Sequence, residues 1–197
     1  MAKLVLASGS VIRAKILSEA GLAFEIIPAN IDETALIEAG TGSGVGFDDL
    51  ACHLAQEKAL AVSRQQDGLV IGADQILGFE GRPYEKCATL AAAKRRLKAL
   101  AGKTHFLHCG IALAQQGKII WRHGESSKMT MRDLTDQEID AYLETVGRKV
   151  LSSVGAYYIE EHGVRLFSAM EGNHFAILGL PLLPLLAVLR QRSFIPW

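Results

Sequence analysis

The sequence has no excess of charge of either sign. Its 197 residues include 21 Lys and Arg and 21 Asp and Glu, so the formal net charge is zero. Proteins that grip nucleic acid through its phosphates usually carry a basic excess, so this balance argues against polynucleotide binding as the main task. It does not exclude a small basic pocket for one nucleotide. The basic run at residues 94–98 is interpreted as a solvated helix face rather than a binding patch.

Cysteines and long apolar runs are also scarce. Cys52, Cys87 and Cys109 are an odd number without CxxC spacing, which fits neither a disulfide framework nor a zinc site and indicates a reducing compartment. The longest apolar run, residues 176–189, is interrupted by glycine and proline and falls short of the roughly 18–20 residues that span a bilayer. The N-terminal apolar stretch is too short for a secretory signal. We therefore expect a cytoplasmic protein that does not bind membranes.

Several familiar catalytic signatures are missing. The GxxxxGK[ST] phosphate loop is absent, and neither GxGxxG nor GxSxG occurs in a suitable setting. The six histidines show no metal-ligand spacing such as HExxH. Cys87 lacks an identifiable partner base, so the sequence gives no support for a cysteine nucleophile.

Alternating strand and helix patterns predict an α/β fold. Apolar residues make up 49% of the chain, enough for a core in one compact domain or in two small lobes around a cleft. The predicted strands are residues 4–7, 24–27, 69–73, 106–114, 118–121 and 155–159. The predicted helices are residues 11–20, 48–63 with Asp48 as cap, 89–101, a helix opened by a capping box at Thr135, and a buried helix at the C-terminus. Residues 40–46 are predicted to form a flexible loop.

The first candidate site is the turn between the first predicted strand and helix. Ser8, Gly9 and Ser10 are small, and the first N–H groups of a helix attract phosphate. Arg13 lies one turn further on and would add a bidentate, permanently charged donor. The alternative is that Ser10 only caps the helix, which for an isolated turn of this kind is the commoner case.

The second candidate follows the strand predicted at residues 69–73. That strand delivers Asp74 and Gln75 at its end, where α/β folds usually bind ligands. A carboxylate there can coordinate a divalent cation or take a proton from an attacking water. An aspartate that merely caps the following turn is an equally good interpretation.

A third group consists of Asp32, Glu33, Lys58 and Lys86. The acidic pair is either an exposed loop pair or half of a metal site, and the lysines are either phosphate ligands or ordinary surface residues. A triphosphate-cleaving enzyme needs cations, carboxylates and a base for water, and all three types are present. Their spacing alone does not connect them.

Taken in order, these segments resemble the Maf family of nucleotide pyrophosphatases. The resemblance runs nearly from end to end, and its matching segments are residues 6–10 with Arg13, 31–34, 54–59, 71–75, Lys86, 100–102, 155–157 and 178–182. It implies a single domain over residues 1–197, with a central mixed sheet flanked by helices and two lobes around a deep cleft. It also implies metal-dependent cleavage of nucleoside triphosphates to monophosphate and pyrophosphate, with Mg²⁺ or Mn²⁺ as the cofactor.

The resemblance also assigns catalytic roles to individual residues. Asp74 matches the proton acceptor that activates water, and Glu33 matches a second acidic position that supports the metal with it. Arg13, Lys58 and Lys86 match the cationic positions that hold and polarise the phosphates. Fixed cations of this kind offset the charge of the triphosphate without reorganising during the reaction.

Five further positions match substrate-binding residues. Ser8 and Ser10 match the lining of the phosphate turn, while Ile12, Gln75 and Glu160 match positions that sort substrates among subfamilies. Gln75 and Glu160 are closer to the branch that is similar to 7-methyl-GTP pyrophosphatases. Ile12 lacks the aromatic face that a methylated, cationic purine favours, so the preferred base stays open.

The sequence departs from the family pattern at Val11, Cys87 and Ser153. Two rival functions therefore remain: a hydrolase that releases the terminal phosphate, and a catalytically impaired nucleotide-binding regulator of cell division. The expected partner is the nucleoside triphosphate, not nucleic acid, and a homodimer is left open beside a monomer.

Overall fold

The computed structural model describes residues 3–196, which contain seven strands and seven α-helices. The strands are β1 (Leu4–Leu6), β2 (Glu25–Ile26), β3 (Leu69–Phe79), β4 (Arg82–Tyr84), β5 (Thr104–Gln115), β6 (Lys118–Met131) and β7 (Phe167–Glu171). The helices are α1 (Val11–Glu19), α2 (Glu33–Gly42), α3 (Phe47–Ser63), α4 (Leu90–Leu100), α5 (Asp136–Val146), α6 (His174–Ile177) and α7 (Leu182–Gln191). Two 3₁₀ helices, Gly147–Ser152 and His162–Leu166, lie between α5 and β7.

The strands form one mixed sheet, which confirms the predicted α/β class with its central mixed sheet flanked by helices. Its order is β2-β1-β3-β5-β6-β7, and β4 pairs with β3. β1 is parallel to both β2 and β3, whereas the β3–β4 and β6–β7 pairs are antiparallel. A tight turn at residues 115–117 joins β5 to β6, with Gln116 and Gly117 both at positive φ.

The chain divides into two compact units. Unit 1 comprises Met1–Gln75, His108–Ser126 and Asn173–Trp197, and unit 2 comprises Ile76–Leu107 and Ser127–Gly172. Among the described residues, no helix is both long enough and apolar enough to cross a membrane.

Unit 1 packs helices on both faces of its strands. Because side chains alternate along a strand, Leu4, Leu6 and Ile71 join one core cluster with α1 and α7. Val5 and Val70 belong to a second cluster with Ala55, Ala59 and Val62 of α3. β1 and β3 are buried on both sides, which explains their continuous apolar runs.

Helix α4 of unit 2 carries the basic run, and its cations pair with neighbouring groups. Lys94 and Lys98 of α4 each donate to an aspartate of α5, Asp140 and Asp136, at 2.8 Å. Arg96 donates to the carbonyls of Glu85 (3.1 Å) and Val154 (2.5 Å) and lies 4.3 Å from the centre of the Tyr84 ring. Arg95 and Lys98 are exposed and Lys94 and Arg96 are half-buried, which agrees with the interpretation of this run as a solvated face, with three of its cations paired at the surface of unit 2.

Several predicted segments have wrong boundaries, and among them β6 continues past residue 121 to Met131. β3 continues past residue 73 to Phe79, because Glu80 and Gly81 at positive φ turn the chain into β4. Residues 155–159 are not a strand, since Ala156 adopts a φ of 57° that breaks extended pairing. The loop predicted at residues 40–46 is partly helical, as α2 extends to Gly42.

Candidate active site

Asp74 lies inside β3, not at the end of a strand as predicted. Alternation along β3 places Ala73 in the core cluster with α1 and α7, so Gly72 and Asp74 point towards α3. The carboxyl group is buried, with the residue only 7% exposed. A charged residue in this position needs partners close by.

Two glycines bring α3 unusually close to the sheet beneath Asp74. A Cβ atom added to Gly72 would stand 2.0 Å from the carbonyl oxygen of Ala55, and one added to Gly110 of β5 would stand 2.3 Å from that of Ala51. No side chain fits in either place. The close approach brings Lys58, one turn beyond Ala55 on α3, within reach of Asp74.

Lys58 is the centre of the charged cluster. Its ammonium donates to Asp74 and forms an ion pair with Glu33 at 2.9 Å. Lys58 is 7% exposed, so the surface interpretation left open for it is wrong. Glu33, the first residue of α2, is about half exposed, and Asp32 caps that helix by accepting from the N–H of Ala35 at 3.0 Å.

The pKa of Asp74 is raised above its ordinary value. Burial is the main cause, Lys58 and Arg13 oppose it by charge and by the Lys58 hydrogen bond, and the negative charge of Glu33 adds to it. A carboxyl group with a raised pKa holds a proton more readily than an ordinary aspartate, which suits a group that accepts one from water. The activity of such a base is lost as the pH falls through the raised pKa.

Arg13 connects three segments around the turn at Ser8. Its Nε donates to the carbonyl of Gly179 at 2.8 Å, and its Nη1 donates to the carbonyl of Ala73 at 2.7 Å and to the Ser8 hydroxyl at 3.1 Å. Ser10 caps α1 by accepting from the N–H of Arg13 at 3.4 Å. The guanidinium is therefore held beside both Asp74 and the start of α1, where phosphate groups bind favourably.

The other predicted substrate-binding residues have different surroundings. Gln75 donates from Nε2 to the carbonyls of Ala176 (2.9 Å) and Ile177 (3.1 Å). Ile12 is half-buried and packs against the core cluster that contains α1 and α7. Their roles in sorting substrates stay predictions.

Lys86 and Glu160 belong to unit 2 and are exposed. Lys86 lies between β4 and α4, and Glu160 lies between the two 3₁₀ helices. The unit 1 cluster joins Ser8, Arg13 and Asp74 with Glu33 and Lys58 and does not include these two residues, so their predicted roles are untested by it.

The carboxylates around Lys58 partly match the ligands that a hard divalent cation prefers. The carboxylates of Asp74 and Glu33 converge on one ammonium nitrogen, and Mg²⁺ is commonly held by one or two carboxylates together with substrate phosphates. No group of three or more His, Cys, Asp or Glu side chains among residues 3–196 forms a metal site by itself. The two carboxylates therefore fit a cation that substrate phosphates help to bind.

Backbone acceptors are the part of the site that the sequence analysis missed. The carbonyls of Ala73, Ala176, Ile177 and Gly179 hold Arg13 and Gln75, and a carbonyl has no signature in sequence. The burial of Lys58, by contrast, has a signature in the sequence. Lys58 lies three residues after Ala55 and four before Val62, on the apolar face of α3.

Comparison with known proteins identifies the family. The sequence model of the family described as Maf-like protein matches residues 3–192. The chain belongs to the Maf-like family. The resemblance proposed from sequence is thereby confirmed.

Relatives of this Maf-like chain are similar over nearly their whole length. A nucleoside triphosphate pyrophosphatase of Rhodopseudomonas palustris is 48% identical over 193 residues, covering 98% of this chain and 95% of the relative. A 7-methyl-GTP pyrophosphatase of Mesorhizobium japonicum is 47% identical over 189 residues, covering 95% of both. A HAM1 protein structure from Coxiella burnetii aligns with a TM-score of 0.47 and 20% identity over 68% of this chain and 75% of its own.

Proposed function

We propose that this chain hydrolyses nucleoside triphosphates to a nucleoside monophosphate and pyrophosphate. The observation that carries the proposal is the buried Asp74 beside Lys58 and Arg13, at the start of helix α1. Relatives that are 47–48% identical bear the names nucleoside triphosphate pyrophosphatase and 7-methyl-GTP pyrophosphatase. The charged cluster and the names of the relatives therefore support the same activity, hydrolysis of nucleoside triphosphates.

In this proposal, the turn at residues 8–10 and Arg13 bind the phosphates. The N–H groups at the start of α1 and the guanidinium are donors with fixed orientation, so they offset negative charge without rearranging. Lys58 adds a second cation, and because it is buried its charge is less screened than that of a surface lysine. In this proposal water attacks the α-phosphorus near Asp74, and pyrophosphate leaves as the bond between the α- and β-phosphates breaks.

Asp74 accepts the proton of the attacking water. Burial raises the pKa of Asp74, which makes its carboxylate a better proton acceptor than an exposed aspartate, while the charges of Lys58 and Arg13 oppose that rise and favour the ionised form. A divalent cation bound by Asp74, Glu33 and the phosphates would supply charge neutralisation as a Lewis acid. Mg²⁺ and Mn²⁺ are the proposed cofactors, and the cytoplasm is the proposed location.

Product analysis tests the proposal directly. The chain is incubated with canonical nucleoside triphosphates and 7-methyl-GTP, with Mg²⁺, with Mn²⁺ or with EDTA, and pyrophosphate and orthophosphate are measured separately. We expect pyrophosphate and monophosphate with either metal and little product in EDTA. A preparation of Asp74→Asn made in parallel controls for contaminating hydrolases.

Two outcomes would contradict the proposal. Orthophosphate together with a nucleoside diphosphate would show cleavage at the terminal phosphate. Tight nucleotide binding without turnover in either metal would favour a regulator that binds nucleotide without hydrolysing it.

A further inference from the structure

The side-chain amide of Gln75 donates hydrogen bonds to the backbone of the C-terminal segment. Its Nε2 has two hydrogens, and two carbonyls, those of Ala176 and Ile177, lie at 2.9 and 3.1 Å. Carbonyl oxygens only accept, so these contacts also fix which end of the amide is nitrogen. Both donors of Gln75 are therefore used within unit 1, more than 100 residues away along the chain.

The turn held by Gln75 presents one carbonyl to Arg13. Gly179, at φ 96°, ends the segment that starts with α6, and its carbonyl accepts from Arg13 Nε at 2.8 Å. A Cβ added to Gly179 would stand 3.5 Å from Arg13 Nε and 3.8 Å from Gln75 Oε1. Gly179 thus lies in contact distance between the two side chains.

The orientation of the guanidinium depends on this turn. The guanidinium of Arg13 donates through Nε and Nη1 to partners within residues 3–196, so these two nitrogens set the direction of Nη2. A planar guanidinium binds phosphate well only when its remaining donors point correctly. Moving the Gly179 carbonyl would rotate Nη2 away from a bound phosphate.

We propose that Gln75 is a positioning residue, which fixes the turn after α6 and, through the Gly179 carbonyl, the phosphate-binding orientation of Arg13. This inference rests on the proposed function, in which Arg13 binds phosphate. It differs from the role expected from sequence, in which Gln75 is a substrate-binding residue that sorts substrates among subfamilies. The two roles differ in whether the effect of a substitution depends on the base.

The experiment compares Gln75→Met with the wild type. Methionine has similar length but donates no hydrogen bond, and it adds no charge beside Asp74. We expect the Kd of inorganic pyrophosphate, measured by calorimetry with Mg²⁺, to rise about tenfold. The KM of every nucleoside triphosphate should rise by a similar factor, and amide exchange in residues 173–181 should speed up.

Gln65→Met is the matched control. Gln65 is exposed, and its amide donates only to the carbonyl of Ala61 in the preceding turn, at 3.5 Å. This variant should keep wild-type pyrophosphate affinity, KM and exchange in residues 173–181. An equal change in both variants would overturn the proposal.

The outcomes separate this inference from the proposed function. Unchanged pyrophosphate affinity with a KM that changes for some bases only would overturn the positioning role and return Gln75 to base recognition. Unchanged exchange in residues 173–181 would overturn it as well. If the wild type binds no pyrophosphate and hydrolyses no triphosphate, the proposed function fails, and the exchange comparison still decides whether Gln75 fixes the turn.

Discussion

The burial of Lys58 beside Asp74 carries a free-energy cost that folding alone does not require. Moving two charges out of water costs several kcal/mol per ion even after relaxation, and apolar residues of the same volume often stabilise a protein as well or better. The fold nevertheless buries this pair between α3 and β3, and Glu33 is a second partner of Lys58. A costly charged cluster with a shifted pKa is typical of functional sites.

Replacing Asp74 by asparagine should abolish turnover and preserve the fold. The amide has the same shape but does not accept a proton at neutral pH, and loss of a general base alone lowers kcat by about 10²–10⁴-fold. Lys58 keeps Glu33 as an anionic partner at 2.9 Å, so we expect a folded protein. Pyrophosphate release and circular dichroism measure the two effects.

Asp67→Asn is the control for that substitution. Asp67 is exposed and lies between α3 and β3, so the same chemical change there should leave kcat within about twofold of the wild type. Normal pyrophosphate release by Asp74→Asn would remove this residue from the mechanism.

Sequence reasoning named four charged residues that the structure brings together, but it did not predict their arrangement. Asp74, Lys58, Arg13 and Glu33 were each ambiguous alone, and only the order of the family motifs connected them. The structure explains why they meet. The alternation of side chains along β3 points Asp74 towards α3, and the missing side chain at Gly72 lets that helix pack close to the strand. A contact between residues 16 positions apart on two elements depends on tertiary packing, which spacing does not encode.

At the scale of elements, the approach of α3 to β3 sets the geometry of the cluster. Gly72 faces Ala55 one turn before Lys58 on the same helix. Any side chain at position 72 must push the helix away from the strand, since the nearest atoms belong to backbone. The separation of Lys58 from Asp74 would grow by the same movement.

Gly72→Ala should therefore lower both stability and activity. Overpacking of a tight core commonly costs about 1–3 kcal/mol, and a clash with a backbone oxygen belongs at the upper end of that range. Denaturant unfolding measures the free energy, and pyrophosphate release measures the displacement of Lys58.

Gly42→Ala in α2 is the matched control, because among residues 3–196 no atom outside the adjoining helix backbone lies within 4 Å of a Cβ added there. Alanine is also the better helix former, so this variant should be as stable as the wild type or more so. Equal stability of the Gly72 and Gly42 variants would show that α3 adjusts without cost.

The predictability of each element followed the strength of its local signals. The capping box at Thr135 and Glu138 was predicted and is present. Helix α2 was missed because it ends in Gly40, Thr41 and Gly42 and has no buried residue, although Asp32 followed by Glu33 is an N-terminal helix signal. The strand predicted at residues 155–159 failed because Ala156 at positive φ turns the chain, a conformation that alanine rarely adopts.

At the scale of the whole molecule, a buried histidine gives stability a pH dependence that the zero net charge does not suggest. His105 is fully buried, and its Nε2 lies 2.7 Å from the Tyr157 hydroxyl. Its Nδ1 has no hydrogen-bond partner among the described residues. Burial lowers the pKa of His105 from 6.5 to about 4, because the charged ring would lose its hydration.

The direction of the effect follows from proton binding. Between pH 6.5 and about 4, the unfolded chain protonates His105 and the folded chain does not, so acidification favours unfolding in this range. Asp74 acts in the opposite direction, since its raised pKa lets the folded state take up a proton first. The effect of His105 is therefore best isolated by comparing variants that share Asp74.

His105→Gln should flatten the pH dependence of stability. Glutamine does not titrate and keeps an amide for the Tyr157 hydroxyl, so it removes the proton uptake and retains polar contact. The difference between about 4 and 6.5 in pKa corresponds to about 3 kcal/mol, which is the extra loss expected for the wild type. Urea unfolding at pH 7, 6, 5 and 4 gives the free energy of unfolding of both proteins as a function of pH. Parallel curves would show that protonation of His105 does not destabilise the folded protein.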